Sequence, residues 1–274
     1  MSSMNVSNLT KNKLKSMFEE GKRFDGRGLM DVRDFEVEYG VSNKAEGSAR
    51  VKLGNTEVIV GVKLQTQEPY SDHKDEGTLM VGMEINPSAG ERYEPGPPKI
   101  DAIEIARVVD RGIRESGYID FKKLCIKEGE TVWSVMVDIY AINDDGNLLD
   151  ASAIGAVAAL KMTKIPEYTE EEGVQYGNLT DNGLPLTENE SLMMTFYKVG
   201  NQLLFDPTRD EEDASSARLT LAISKPGKDK IINSMQKGGL DSMSIEHLNQ
   251  VIEEAEKVYD KIFPELDKKV EGLK

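Results

Sequence analysis

The chain has a single cysteine, Cys125, and only two histidines, His73 and His247, in 274 residues. One thiol excludes an internal disulfide, and two histidines far apart in sequence leave little material for a zinc site. Cys125 is expected to be a buried structural thiol. Long apolar runs are missing as well: nothing approaches the roughly 18 residues that a membrane-spanning helix needs. The stretch MSSMNVSNLTKNKLKSMFEEGKRFDGR lacks the apolar core and small-residue cleavage site of a secretory signal, so a cytoplasmic location is expected. Positive charge is in deficit, with 34 Lys and Arg against 49 Asp and Glu for a formal net charge of -15. That balance excludes a free-standing protein that coats nucleic acid, because phosphate contacts supply most non-specific affinity. Any nucleic acid must meet a local basic patch or a partner's surface.

What is present fits a globular chain with a well-charged surface: 38% hydrophobic and 30% charged residues, with a mean hydropathy of -0.46. The length allows one large domain or two modest ones. Thr10 to Glu20 reads as a helix capped by Thr10, followed by the turn GKRFDGRG. DFEVEYG, GSARVKLG and TEVIVGVKL read as strands, the last two joined by a Gly54-Asn55 hairpin, and TLMVGMEI as a fourth in an antiparallel meander. A Pro-rich loop leads to a helix from Ile100 to Ser116, closed by Gly117. Thr131 to Ile142 reads as a strand, and Asp150 to Lys164 as a closely packed small-residue helix. IPEYTEEEGVQYGNLTDNGLPLT is a polar connection. SLMMTFYKVG, QLLFD and RLTLAIS then make a second meander before a helix capped by Ser244. The expected architecture is α+β and pseudo-duplicated: an N-terminal helix and arm (1–28), a first domain (29–166), a connection (167–190), a second domain (191–264) and a tail (265–274).

Three stretches invite a chemical reading. On the helix Ile100 to Ser116, Ala102, Ile105, Ala106, Val109 and Ile113 fall on one side and Arg107, Arg111 and Arg114 on the other. Such a stripe suits a phosphate backbone, and the loop before it adds Arg92; equally, Glu104, Asp110 and Glu115 stand at spacings that pair with these arginines on a solvated face. The second stretch is NDDGNLLDAS, Asn143 to Ser152, a strand-to-helix turn of the kind that binds anions. Here Asp144, Asp145 and Asp150 crowd the turn, and an Asp at the cap makes a self-capped structural turn the better reading. The third is DPTRDEED, with five carboxylates (Asp206, Asp210, Glu211, Glu212, Asp213) in eight residues. Its spacing does not match a calcium loop. An acidic surface loop is expected, with no metal and no cofactor.

RFDGR, GSARVKLGNTEVIVGVK, EPGPPKIDAIEIARVVDRGIRESG, NGLPLT and LLFDPTRDEEDASSARLTLAIS occur in an order, and over a length, that resemble the RNase PH family. Within it the chain looks most like the non-catalytic RNase PH-like subunits of the archaeal exosome. The resemblance implies an RNase PH-like fold of two halves with split βαβ units of the ribosomal-protein type. Active members phosphorolyse RNA from its 3′ end, holding phosphate with a Gly-Ser-Arg loop and placing an acid at the start of a strand in the second half. In this sequence Gly146 matches the loop glycine, but Asn147 follows it without serine or arginine. Arg218 stands where the acid would be, and Glu212 lies near a second acidic position.

The resemblance therefore implies a subunit without catalytic residues, its family positions Gly146, Asn147, Glu212 and Arg218 degenerate. It implies a hetero-hexameric ring, a trimer of heterodimers with a catalytic RNase PH-like subunit, together with RNA-binding cap proteins and single-stranded RNA. It also favours RNA contact by Arg111 and Arg114, with Arg107 behind them. Two alternatives stand: an active phosphate-dependent 3′-exoribonuclease using Glu212 or Asp213, and a purely structural protein of the same fold.

Overall fold

The computed structural model describes residues 6–271, with side chains through Leu266. The first five residues of the expected arm and the last three of the expected tail lie outside the described residues. The chain opens with helix α1 (Asn8–Glu19), capped by Ser7, whose Oγ accepts from the Thr10 N–H at 3.1 Å, so the cap lies three residues before the expected Thr10. Leu14 and Phe18 bury one face of α1 against Tyr197, Val199 and Leu204 of the second half, a small core of its own.

Strands β1 (Phe35–Tyr39), β2 (Gly47–Leu53), β3 (Thr56–Gln67) and β4 (Thr78–Ile85) follow, with the expected hairpin between β2 and β3. Helix α2 (Ile100–Ser116) ends at Gly117 in the left-handed conformation (φ 66°). Next come the short β5 (Cys125–Lys127), the long β6 (Thr131–Asn143) and helix α3 (Leu148–Met162). The first sheet has the order β1-β2-β3-β6-β4, with β5 also on β6. Here the sequence expectation needs correction: β4 does not continue an antiparallel meander but pairs in parallel with β6. Parallel neighbours require a crossover, and α2 supplies it. Cys125 is half-buried rather than buried.

The polar connection is itself structured, as an antiparallel ribbon of β7 (Lys164–Thr169) and β8 (Gly173–Gly183). The second half has β9 (Leu192–Val199), β10 (Gln202–Phe205), a short helix α4 (Arg209–Ala214), β11 (Ala217–Ser224) and β12 (Ile231–Gly239), in the sheet order β10-β9-β11-β12. Strand β12, IINSMQKGG, is an edge strand that the sequence reading omits. The terminal helix α5 (Ile245–Glu271) starts at Ser244 as expected and runs through Pro264 into the segment read as a tail.

The two sheets clasp the helices. α2 packs on β4 of the first sheet and on β11 and β12 of the second, and α3 packs on β2, β3 and β9. α3 is buried on every face from Leu148 to Leu160, which explains its run of Ala, Gly and Ser: small side chains let backbones approach on all sides. α2 instead buries one stripe, with Val109 and Ile113 fully enclosed, each worth roughly 1.5–3 kcal/mol of apolar burial. That seating turns Arg107, Arg111 and Arg114 outward.

Candidate functional site

Between β6 and α3 the chain turns through Gly146 (φ 87°) and Asn147 (φ 58°). A Cβ at Gly146 would lie 2.5 Å from the Thr208 carbonyl carbon, so both the left-handed backbone and the close approach of the 207–209 segment require glycine there. The Asn147 N–H, at the mouth of α3, donates to Glu212 Oε2 at 2.9 Å. A carboxylate of the protein thus sits where a helix N-terminus draws anions. Arg209 surrounds it, donating from Nη1 to Asp144 Oδ2 (3.0 Å) and from Nη2 to Asp213 Oδ1 (2.7 Å), with Glu212 at 3.5 Å. Arg92 donates twice to Asp213, at 3.0 and 2.5 Å, and the Tyr93 hydroxyl donates to Asp144 Oδ2 at 2.5 Å. Burial pushes the Asp213 carboxyl up, but the hydrogen bonds and charges of Arg92 and Arg209 outweigh it and hold the group below its ordinary range.

Two sequence expectations change here. The turn is not self-capped by Asp150: that residue lies within the first turn of α3, buried, and accepts from Asn147 Nδ2 (3.0 Å), the Thr195 N–H (3.1 Å) and Thr195 Oγ1 (2.7 Å). Burial pushes its carboxyl up to about 7 against these hydrogen bonds. Arg92 does not extend the α2 stripe, because both of its forks are committed to Asp213.

Nor is DPTRDEED an acidic surface loop. Asp206 is fully buried, with φ 48°, and takes hydrogen bonds from the Arg33 N–H (2.7 Å), Arg33 Nη2 (2.7 Å) and Asn147 Nδ2 (3.1 Å). Burial pushes this carboxyl up, yet Arg33 holds it below the usual carboxylate range. Glu211 is buried against Arg23, with contacts of 3.0 and 2.5 Å, and accepts from the Thr208 N–H at 2.8 Å. Arg23 of the N-terminal arm and Arg33 just after it thus neutralise the acids of the second half from within. The spacing Thr208-x-x-Glu211, a helix-start signature, could have revealed α4.

The α2 stripe forms a different environment. Arg107, Arg111 and Arg114, with Val81, Asp110 and Glu115, line an open cleft of about 280 Å³. Arg114 pairs with Asp110 at 2.7 Å and donates to the Leu79 carbonyl at 2.9 Å. Arg111 has one long contact, to Gln236 Oε1 at 3.5 Å. Arg107 makes no hydrogen bond or ion pair with the described residues. The expected pairing on the stripe therefore holds for one of the three arginines. Arg218, on β11, reaches across to α2, where its Nη2 lies 2.6 Å from Glu104 Oε1. The structure brings Gly146, Asn147 and Glu212 together and sets Arg218 apart from them, beside the cleft.

Among the described residues no group of three or more His, Cys, Asp or Glu side chains could hold a metal ion, and no helix is long and apolar enough to cross a membrane.

Residues 31–166 match domain 1 of the 3′ exoribonuclease (RNase PH) family, and residues 192–258 match domain 2. The exosome complex component Rrp42 of Methanosarcina acetivorans is 45% identical over 249 residues, 90% of each chain. Among solved structures, a chain of the Archaeoglobus fulgidus exosome with RNA bound to the active site superposes with a TM-score of 0.82 at 41% identity, covering 93% of this chain and 98% of that one. A chain of an archaeal exosome core gives 0.81 at 38% identity, covering 95% and 97%. With both halves matched, and relatives this similar over nearly their whole length, the chain belongs to the RNase PH family of 3′ exoribonucleases.

Proposed function

We propose that this chain is a non-catalytic subunit of an archaeal exosome, a 3′-to-5′ RNA-degrading complex. It scaffolds the hexameric ring with a catalytic RNase PH-like subunit and lends RNA contacts from Arg107, Arg111 and Arg114. The observation that carries the reading is the Glu212 carboxylate on the Asn147 N–H. Phosphorolysis needs an inorganic phosphate held where charge develops. Here the helix N-terminus is already occupied by an internal anion, with Asp144 and Asp213 beside it. The kinship to exosome components supports the ring, the cap proteins and a cytoplasmic setting.

The cleft supports the RNA contact. Guanidiniums that are not consumed by internal pairs are free for phosphate oxygens, and a focused positive patch resolves how a chain of net charge -15 can serve RNA. An active enzyme using Glu212 or Asp213 is disfavoured, because both carboxylates are engaged and the Asp213 carboxyl is held ionised, which unfits it as a proton donor.

Phosphate-dependent trimming of RNA by the purified chain alone overturns the proposal. In the reconstituted ring, Glu212→Ala with Asp213→Ala should leave turnover intact where assembly survives, whereas Arg111→Glu with Arg114→Glu should weaken RNA binding and flatten its salt dependence.

A further inference from the structure

We propose that Arg218 is a positioning residue for the cleft: by holding Glu104 it keeps that carboxylate off Arg107 and leaves the Arg107 guanidinium available to RNA phosphates. The inference rests on the reading of the cleft as an RNA contact and adds what keeps the cleft positive.

Glu104 stands three residues before Arg107 on α2, a spacing at which helix ion pairs form. The same helix forms one such pair, between Asp110 and Arg114 at 2.7 Å. Yet Glu104 turns the other way. Its Oε1 lies 2.6 Å from Arg218 Nη2 and accepts from Gln236 Nε2 at 3.2 Å. Arg107 is left without a partner among the described residues, and Arg111 keeps only its long contact to Gln236.

The second sheet is shaped for this hold. Arg218 pairs across the ladder with Gly238 of β12, and a Cβ at Gly238 would lie 2.7 Å from Arg218 Nε and 3.0 Å from Cζ. The bare position gives the guanidinium room to lie over β12 towards α2. Gln236, two residues along β12 and so on the same face, donates to the same Glu104 oxygen. The arginine that stands at the family's acidic position therefore keeps an electrostatic task, at one remove from RNA.

The test is RNA binding by the ring reconstituted with its catalytic partner subunit, read by anisotropy of a fluorescent single-stranded oligoribonucleotide in phosphate-free buffer over a salt series. Arg218→Met should release Glu104 onto Arg107, weaken binding about 3- to 10-fold and lower the salt slope by about 0.7, the value for one phosphate on a single strand. Adding Glu104→Gln should restore the parent affinity and slope. Gly238→Val, which crowds Arg218 without changing any charge, should act in the direction of Arg218→Met. Parent-like binding by Arg218→Met, or a double variant no tighter than the single one, overturns the inference. Where Arg218→Met fails to assemble, the double variant decides alone, because it leaves no charge unpaired: binding several-fold weaker than the parent means that Arg218 touches RNA itself. Loss with Arg111→Glu and Arg114→Glu but none with Arg218→Met sinks only the inference; no loss with either removes the cleft reading as well.

Discussion

The mouth of α3 and the outer face of α2 are built from the same two residue types, arginine and carboxylate, and behave as opposites. At α3 every guanidinium is matched by carboxylates under burial: Arg209 meets Asp144 from the turn and Asp213 on its own short helix, Arg92 meets Asp213, Arg33 meets Asp206 and Arg23 meets Glu211. At α2 only Arg114 is paired along its own helix, while Arg107 and Arg111 face an open cleft. Charge that is internally matched under burial becomes structure. Charge left unmatched at the surface stays available to a ligand.

The largest effect should come from breaking a pair beneath the filled mouth. Arg23 and Glu211 side chains are 0% and 2% exposed, so Arg23→Ala strands a buried carboxylate and should destabilise the chain by about 3–5 kcal/mol in urea denaturation. A loss below about 1 kcal/mol would mean that water reaches this pair and that the contrast between the regions is overstated.

Asp150 gives the filled region a pH signature. Its folded carboxyl titrates near 7, above its ordinary value of 3.8, so the folded state holds the proton more tightly. The sign follows: this contribution is fully present below about pH 4, declines as pH rises and is gone above about 7, with a ceiling on the order of 4 kcal/mol at 1.36 kcal/mol per unit. Denaturant midpoints between about pH 5 and 8 should fall for the parent and stay flatter for Asp150→Asn; identical profiles sink the assignment.

A smaller loss, about 1–3 kcal/mol, is expected for Gly146→Ala, which combines a left-handed backbone with a Cβ pressed on the Thr208 backbone. Thermal unfolding of the two proteins checks it. The smallest stability effect should belong to the cleft: Arg111→Ala or Arg107→Ala should shift stability by no more than about 0.5 kcal/mol. A larger shift there would show that these arginines hold the fold and would erase the contrast.

Local patterns in the chain expose some of this directly. The α2 boundaries from Ile100 to Ser116, the Gly117 cap and the Gly54-Asn55 hairpin are set by neighbours within a few residues, so periodicity and turn chemistry suffice to read them. Strand β12 and the β7–β8 ribbon escape such reading because they are polar and lie at edges, where alternation is weak. The parallel seat of β4 escapes it because strand partners follow from the crossover and not from the strand. Within the candidate site, the outward arginine stripe was legible. Glu212 on Asn147, 65 residues away, was not, and neither was Arg218 on Glu104.

By itself the sequence determined the long helices and the core strands, the basic face of α2, and the absence of serine and arginine after Gly146, since each depends only on spacing and residue type. Tertiary structure alone decided which charges cancel. The acids and arginines around the mouth of α3 come from an arm, a loop, a turn and a short helix far apart in the chain. Only packing the two sheets around α2 and α3 brings them within hydrogen-bond distance, and the energy of an ion pair depends on that distance and on the burial that packing creates.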